Sequence, residues 1–158
     1  GGLYVADDFL KKLDIRVAGT SSVKNDEVYL PHREDYKETV ERFMLSTAPY
    51  MNWVHLEASL RFLDEVGLNN VQERLMSLAD GIADTLRKAG FTVIRDGFGG
   101  DKTAIVCARK DGDMNELHAK LMKAGVICAY REGNLRFSPH LNFTEHDLKR
   151  FSNIIAAQ

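Results

Sequence analysis

Only two cysteines, Cys107 and Cys128, occur in 158 residues. Neither belongs to a Cys-x-x-Cys pair or to a metal-ligand spacing, so the sequence offers no disulfide framework and no metal site. Both stand inside apolar runs, as buried thiols do. A basic surplus is also missing. Lys and Arg number 21 against 23 Asp and Glu, a formal net charge of −2, which argues against a nucleic-acid partner. No long apolar run is present, so no segment reads as a membrane-spanning helix. Gly97, Gly99 and Gly100 are spaced too loosely for a dinucleotide fingerprint, and no βαβ unit surrounds them. The chain opens Gly1-Gly2-Leu3 rather than with methionine, as a trimmed product or a piece of a longer protein would. What is left is ordinary for a soluble globular chain, 44% hydrophobic and 28% charged. It is long enough for one core and a fragment beside it.

Periodicity divides the chain near its middle. Leu3-Tyr4-Val5 reads as a strand and Asp7 to Leu13 as a short helix. Residues 14–35 lack a period and form a long loop, which in a compact domain is usually functional or disordered. A brief periodic segment follows around Tyr36, Val40, Phe43 and Met44. Trp53, Leu56, Leu60 and Leu63 predict a helix over 52–66, with Asn52 as a possible cap, Gly67 as its stop and Trp53 in the core. Val71, Leu75, Leu78, Ile82 and Leu86 predict a second helix over 70–89, capped by Asn70 and ended by Gly90. His55, alone in mid-helix, reads as structural.

From residue 91 the pattern changes to short strands. These fall at 91–94, 103–108, 126–130 and 135–138, with a glycine-rich turn at 96–101 and another at Gly133. A helix over 114–124 starts from Asp113 and turns Leu117, Leu121 and Met122 inward. A last helix, 145–156, buries Leu148, Phe151, Ile154 and Ile155. Two long helices followed by β-β-α-β-β-α predict an α+β fold, with helices packed on one face of an antiparallel or mixed sheet.

The most organised stretch is Leu135-Arg136-Phe137-Ser138-Pro139-His140, closed by Thr144 and Asp147. Leu135 and Phe137 alternate with Arg136 and Ser138, and Pro139 cannot extend a ladder. Thr144 and Asp147 stand three apart, as in a capping box. A lone arginine in an apolar strand needs a reason, and its planar fork suits a carboxylate or phosphate. Without an external ligand it would pair with Glu132 or Asp147.

This stretch resembles the C-terminal signature of class V aminotransferases. These are fold-type I pyridoxal-phosphate enzymes, a group that also holds cysteine desulfurases, epimerases and lyases. The resemblance implies that Arg136 binds the α-carboxylate of a small amino-acid substrate. His140 then either touches substrate or braces the turn. The family asparagine position holds Phe143, since Asn142 is displaced by one. Glu41-Arg42-Phe43-Met44-Leu45-Ser46-Thr47 resembles a second family segment. There a threonine of one subunit reaches the cofactor phosphate of its neighbour, which implies cofactor contacts for Thr47 and Ser46 and a homodimer. Read without the family, Ser46-Thr47 before Pro49 is a turn.

The resemblance implies that residues 1–50 are a remnant of the large cofactor domain with its connecting loop. Residues 51–158 then form the small C-terminal domain with its linker helices. The family places a Gly-rich strand like Gly1–Val5 shortly after its Schiff-base lysine, so the resemblance implies that this lysine lies upstream of Gly1; Lys11 and Lys12 read as solvated surface. No catalytic residue is therefore assigned within these 158 residues, and the chain alone is not expected to transaminate. Cys128 sits in a strand pattern rather than in a loop before the arginine strand, which argues against a cysteine desulfurase. An aminotransferase, epimerase or lyase on a small amino acid, in the cytoplasm, fits better. Desulfurase-like or selenocysteine-lyase-like chemistry is an alternative. A non-catalytic ligand-binding or interaction domain is another, and it would rely on the Gly97–Gly100 turn.

Overall fold

The computed structural model describes residues 2–97 and 102–158. Most of the glycine turn expected at 96–101 lies outside the described residues, as does Gly1. The helices are α1 (Asp7–Leu10), α2 (Tyr50–Val66), α3 (Leu68–Lys88), α4 (Met114–Lys123) and α5 (Glu145–Ala156). The strands are β1 (Thr92–Val93), β2 (Val106–Arg109), β3 (Ala129–Arg131) and β4 (Asn134–Phe137). Two compact units result, Gly1–Phe62 and Leu63–Gln158, with the boundary inside α2.

The second unit is a two-layer α+β domain. Its sheet runs β1-β2-β4-β3 with every neighbouring pair antiparallel. Strand alternation produces the layers. Val106 and Ala108 of β2, and Leu135 and Phe137 of β4, are buried on one face. Cys107, Arg109 and Arg136 fall on the other. The buried face is covered by Ala79, Ile82, Ala83 and Leu86 of α3, Met114 and Leu121 of α4, and Phe151 and Ile155 of α5. Phe137 meets Phe151 edge to face, ring centroids 5.5 Å apart. Each large aliphatic or aromatic side chain so buried stabilises the unit by about 1.5–3 kcal/mol.

Gly81 is explained by this packing. A Cβ there would stand 2.8 Å from Cδ2 of Leu148. The glycine permits the close approach of α3 and α5, offsetting the roughly 1 kcal/mol that glycine costs a helix.

Three of the four strands begin later than the pattern predicts, β1 and β3 because of the helix ends. Gly90 at φ 84° and Gly125 at φ 84° both take the left-handed conformation. Phe91 N then donates to Leu86 O, and Val126 N to Leu121 O. These 6→1 bonds finish α3 and α4 with the very residues expected to open the strands. So β1 starts at Thr92 and β3 at Ala129, and Ile127 is left 87% exposed. Before β2, the Thr103 hydroxyl binds Ile105 N at 3.2 Å and holds a local turn instead of a ladder. Met122, expected inside, is exposed. Met114, Leu117 and Leu121 already occupy the inward stripe, which Met122 misses by one position.

Helix starts were also displaced. The Pro49 carbonyl accepts from Asn52 N and Trp53 N, so α2 begins at Tyr50 and Asn52 lies inside it. Asn70 likewise lies inside α3, where its side chain donates to Val66 O at 2.7 Å. Gly67, at φ 86°, alone separates the two helices. No residue of α2 is buried, and Trp53 is 44% exposed rather than in the core.

In the first unit, Leu3–Val5 forms no strand, and Tyr4 is 89% exposed. The helix expected over 7–13 ends at Leu10. The long loop is not structureless. It carries a 3-10 turn at Thr20–Ser22 and an antiparallel bridge between Val23 and Tyr36. The periodic segment near residue 40 condenses to a 3-10 turn, Val40–Phe43.

The capping box at α5 forms as the sequence predicts. Thr144 Oγ1 accepts from Asp147 N, and Thr144 N donates to the Asp147 carboxylate at 2.9 Å. The Thr144 hydroxyl and backbone hold the Asp147 carboxyl below its ordinary value of 3.8. A folded-state value below the unfolded one stabilises the domain above the unfolded value. That contribution disappears as pH falls from about 4 through the lower folded value. In Asp147→Asn, thermal melts between pH 5 and 2 should show a shallower fall of Tm than the parent chain. An equally steep fall would refute this account of the box.

Candidate functional site

Arg136 occupies the middle of a central strand. Its Cα partners are Cys107 on β2 and Ala129 on β3. Two small neighbours leave the guanidinium unobstructed on the exposed face. The elements that pack on this sheet lie on the opposite side, α3 against β1 and β2, α4 against β3 and β4. Among the described residues, no hydrogen bond or ion pair engages the Arg136 side chain. Neither expected internal partner pairs with it. Asp147 is held by Thr144, and Glu132 serves the turn, where its carbonyl accepts from Asn134 at 2.8 Å.

Two further arginines share this face. Arg109 lies two residues beyond Cys107, and Arg131 two beyond Ala129, so each is a diagonal neighbour of Arg136. Diagonal positions are about 7–8 Å apart. Neither Arg109 nor Arg131 forms an ion pair among the described residues. Arg131 donates only to the carbonyl of Tyr130, at 3.4 Å. Like charges at this spacing repel by about 0.5 kcal/mol per pair in water.

His140 is placed elsewhere. Its Nδ1 lies 3.2 Å from Oδ1 of Asn142. It borders a cleft of about 320 Å³ lined by Phe137, Phe143, Phe151 and Ile154, and Arg136 is not part of that lining. The turn that follows His140 is braced from α3, where Arg74 donates to the Phe143 carbonyl at 2.7 Å and pairs with Glu145 at 3.2 Å.

In the first unit Ser46 and Thr47 form an exposed bend three residues before α2. Neither hydroxyl is hydrogen-bonded among the described residues. The bend is nevertheless fixed by its neighbours. Arg42 donates to the carbonyls of Leu10 and Leu13, both at 2.6 Å, closing the end of α1. Ser22, fully buried, donates to the Met44 carbonyl at 3.0 Å. Gly19 lies so close to the Leu45 backbone that a Cβ would fall 1.9 Å from its carbonyl oxygen. The 14–35 loop therefore holds the 40–47 segment in place.

Lys11 is exposed and 3.8 Å from Asp8, a solvated pair. Cys128 is half-buried, its carbonyl meeting His118 Nε2 at 3.0 Å, and burial pushes its thiol above the ordinary 9.0. No group of three or more His, Cys, Asp or Glu side chains among the described residues is arranged to hold a metal. Among the same residues, no helix is long and apolar enough to cross a membrane.

Residues 1–151 match the model of the class-V aminotransferase family. The chain belongs to that family. It is 24% identical over 123 residues to YcbU, an uncharacterized aminotransferase of Bacillus subtilis (strain 168). That alignment covers 78% of this chain and 33% of the relative, so the chain spans about a third of the relative's length. Its fold is similar to the apo structure of a cysteine desulfurase from Thermococcus onnurineus NA1. The TM-score is 0.80 at 16% identity, over 98% of this chain and 41% of that one.

Class-V aminotransferases are associated with pyridoxal phosphate, and the residues present fit a share in holding it. Ser46 and Thr47 offer two free hydroxyls on a fixed bend, suited to phosphate oxygens. The unpaired fork of Arg136 suits a carboxylate. Reading the sequence missed Arg42, Arg74 and Arg109. Arg42 stands inside the Glu41-Arg42-Phe43 motif, which was the available signal. The other two depend on cross-chain neighbours and left none.

Arg42→Ala removes two charge-assisted bonds and should destabilise the first unit by roughly 1.5–3 kcal/mol. Amide exchange over residues 40–47 should accelerate, and unaltered exchange would count against the bracing role. Cys128 should react with iodoacetamide at pH 8 several-fold more slowly than a free cysteine. Equal rates would show that burial does not protect the thiol.

Proposed function

We propose that the chain is the C-terminal part of a longer pyridoxal-phosphate enzyme, an aminotransferase, epimerase or lyase acting on a small amino acid. In this reading residues 1–50 belong with the large domain and 51–158 form the small one. The observation that carries it is the unpaired Arg136 between two buried apolar residues of a central strand, Leu135 and Phe137, in a chain of this family. The cofactor, when bound, supplies an electron sink for carbanion chemistry at the substrate's Cα. The protein's task is then to place that carbon. Arg136 takes the α-carboxylate through two parallel N–H···O bonds, which fix both position and rotation of the substrate. Ser46 and Thr47 donate to a phosphate, Thr47 across the interface of a homodimer. His140, held by Asn142, braces the turn that follows Arg136.

A desulfurase acting through a cysteine of this chain is less well supported. Cys128 is half-buried, and burial raises the pKa of its thiol, whereas a sulfur-accepting nucleophile requires an accessible thiolate. Lyase chemistry on the substrate itself needs no such cysteine and stays within the reading.

Arg136→Lys keeps the charge and loses the fork. In the cofactor-loaded full-length enzyme it should raise KM and lower kcat/KM by about 10- to 100-fold, the kinetic size of one charged hydrogen bond. Cofactor content and Tm should stay at parental values. Near-normal kcat/KM with a lowered Tm would make Arg136 a stabilising residue and end the clamp reading.

A further inference from the structure

The open face of the sheet carries more positive charge than one carboxylate requires. Arg136 is flanked diagonally by Arg109 and Arg131, none of the three has a carboxylate partner among the described residues, and the positions beside Arg136 are the small Cys107 and Ala129. A packed surface normally intersperses opposite charges, because adjacent like charges repel. Here the repulsion is left uncompensated within a chain of net charge −2. The arrangement suits a ligand that brings two negative groups at once.

We propose that Arg109 is a specificity residue, and that the substrate is an amino acid bearing a second anionic group on its side chain. A carboxylate, sulfinate or phosphate would each serve. This rests on the reading of Arg136 as the α-carboxylate clamp. The α-carboxylate is held at Arg136, the substrate lies across Cys107, and its distal anion meets Arg109. Diagonal positions about 7–8 Å apart, each with a long flexible arm, match two anionic groups separated by a few carbon atoms.

Arg109 is chosen over Arg131 for three reasons. It stands on β2, a central strand, whereas Arg131 stands on the edge strand β3. Its guanidinium has no partner among the described residues, whereas that of Arg131 turns to the Tyr130 carbonyl. It is also remote in sequence from the acidic Glu132, which follows Arg131 directly in the chain. Thr92, the Cα partner of Arg109, adds a hydroxyl beside it.

The test uses unreactive probes on the cofactor-loaded full-length enzyme. Succinate presents two carboxylates and butyrate one, on skeletons of equal length. Dissociation constants are measured by calorimetry at low salt for the parent, Arg109→Gln, Arg131→Gln and Arg136→Gln, each first shown to keep the parental Tm. Succinate should bind the parent at least ~10-fold more tightly than butyrate, as one added charge-assisted contact allows. Arg109→Gln should bring that ratio to within about twofold of unity, and Arg131→Gln should retain most of it. Arg136→Gln should weaken both probes. Equal affinities in the parent, with both weakened by Arg136→Gln, would overturn the second-anion proposal and leave the clamp standing. Unchanged affinities in Arg136→Gln would overturn the clamp and this proposal with it. Loss of selectivity in Arg131→Gln alone would overturn the assignment to Arg109.

Discussion

The antiparallel pairing of β2 with β4 is the constraint on which the second unit depends. Its register sets Val106 opposite Phe137 and Ala108 opposite Leu135, all four under the helices. The same register forces Cys107 and Arg136 to the other face. A slip of one residue would bury the arginine without a partner and expose both apolar pairs. Burial of four side chains thus fixes where one guanidinium stands. The arginine is held by the packing of residues it does not touch.

Chain segments that close helices compete with strands for the same residues. Gly90 and Gly125 let the following backbone N–H groups turn back onto α3 and α4. Those bonds shorten β1 and β3 to two and three residues. The central strands are spared this competition: a proline ends β4 after its ladder is complete, and a local turn precedes β2. The sheet's longest strands are therefore β4, which carries Arg136, and β2, which carries its Cα partner Cys107.

The first unit uses a different principle. It has little apolar core, and its buried hydrophobic residues are Leu10 and Ala48. Order comes instead from specific polar contacts, Arg42 to two carbonyls and Ser22 to a third, with Gly19 allowing two backbone segments to touch. Such contacts hold a bend precisely enough to present Ser46 and Thr47, yet each contributes only about 1–3 kcal/mol. A functional bend built this way depends on a few side chains rather than on broad burial.

Much of the fold was legible in the sequence. The α+β order, the stop glycines, the Asp113 cap and the Thr144–Asp147 box all follow from local chemistry. So does the outward position of Arg136, because strand alternation leaves it no alternative once Leu135 and Phe137 are inside. Strand starts at 91 and 126 were misread because apolar composition does not reveal which backbone N–H groups a helix end will claim, and the start at 103 because it does not reveal the turn held by the Thr103 hydroxyl. Trp53 was misread because helical spacing identifies an apolar face without saying what covers it. The triad Arg109, Arg131 and Arg136 could not be read at all, since these residues come from three strands spread along the chain. Sequence settles what each residue can do with its neighbours in the chain. Which distant residues share a face is settled only by strand register, a property of the packed sheet.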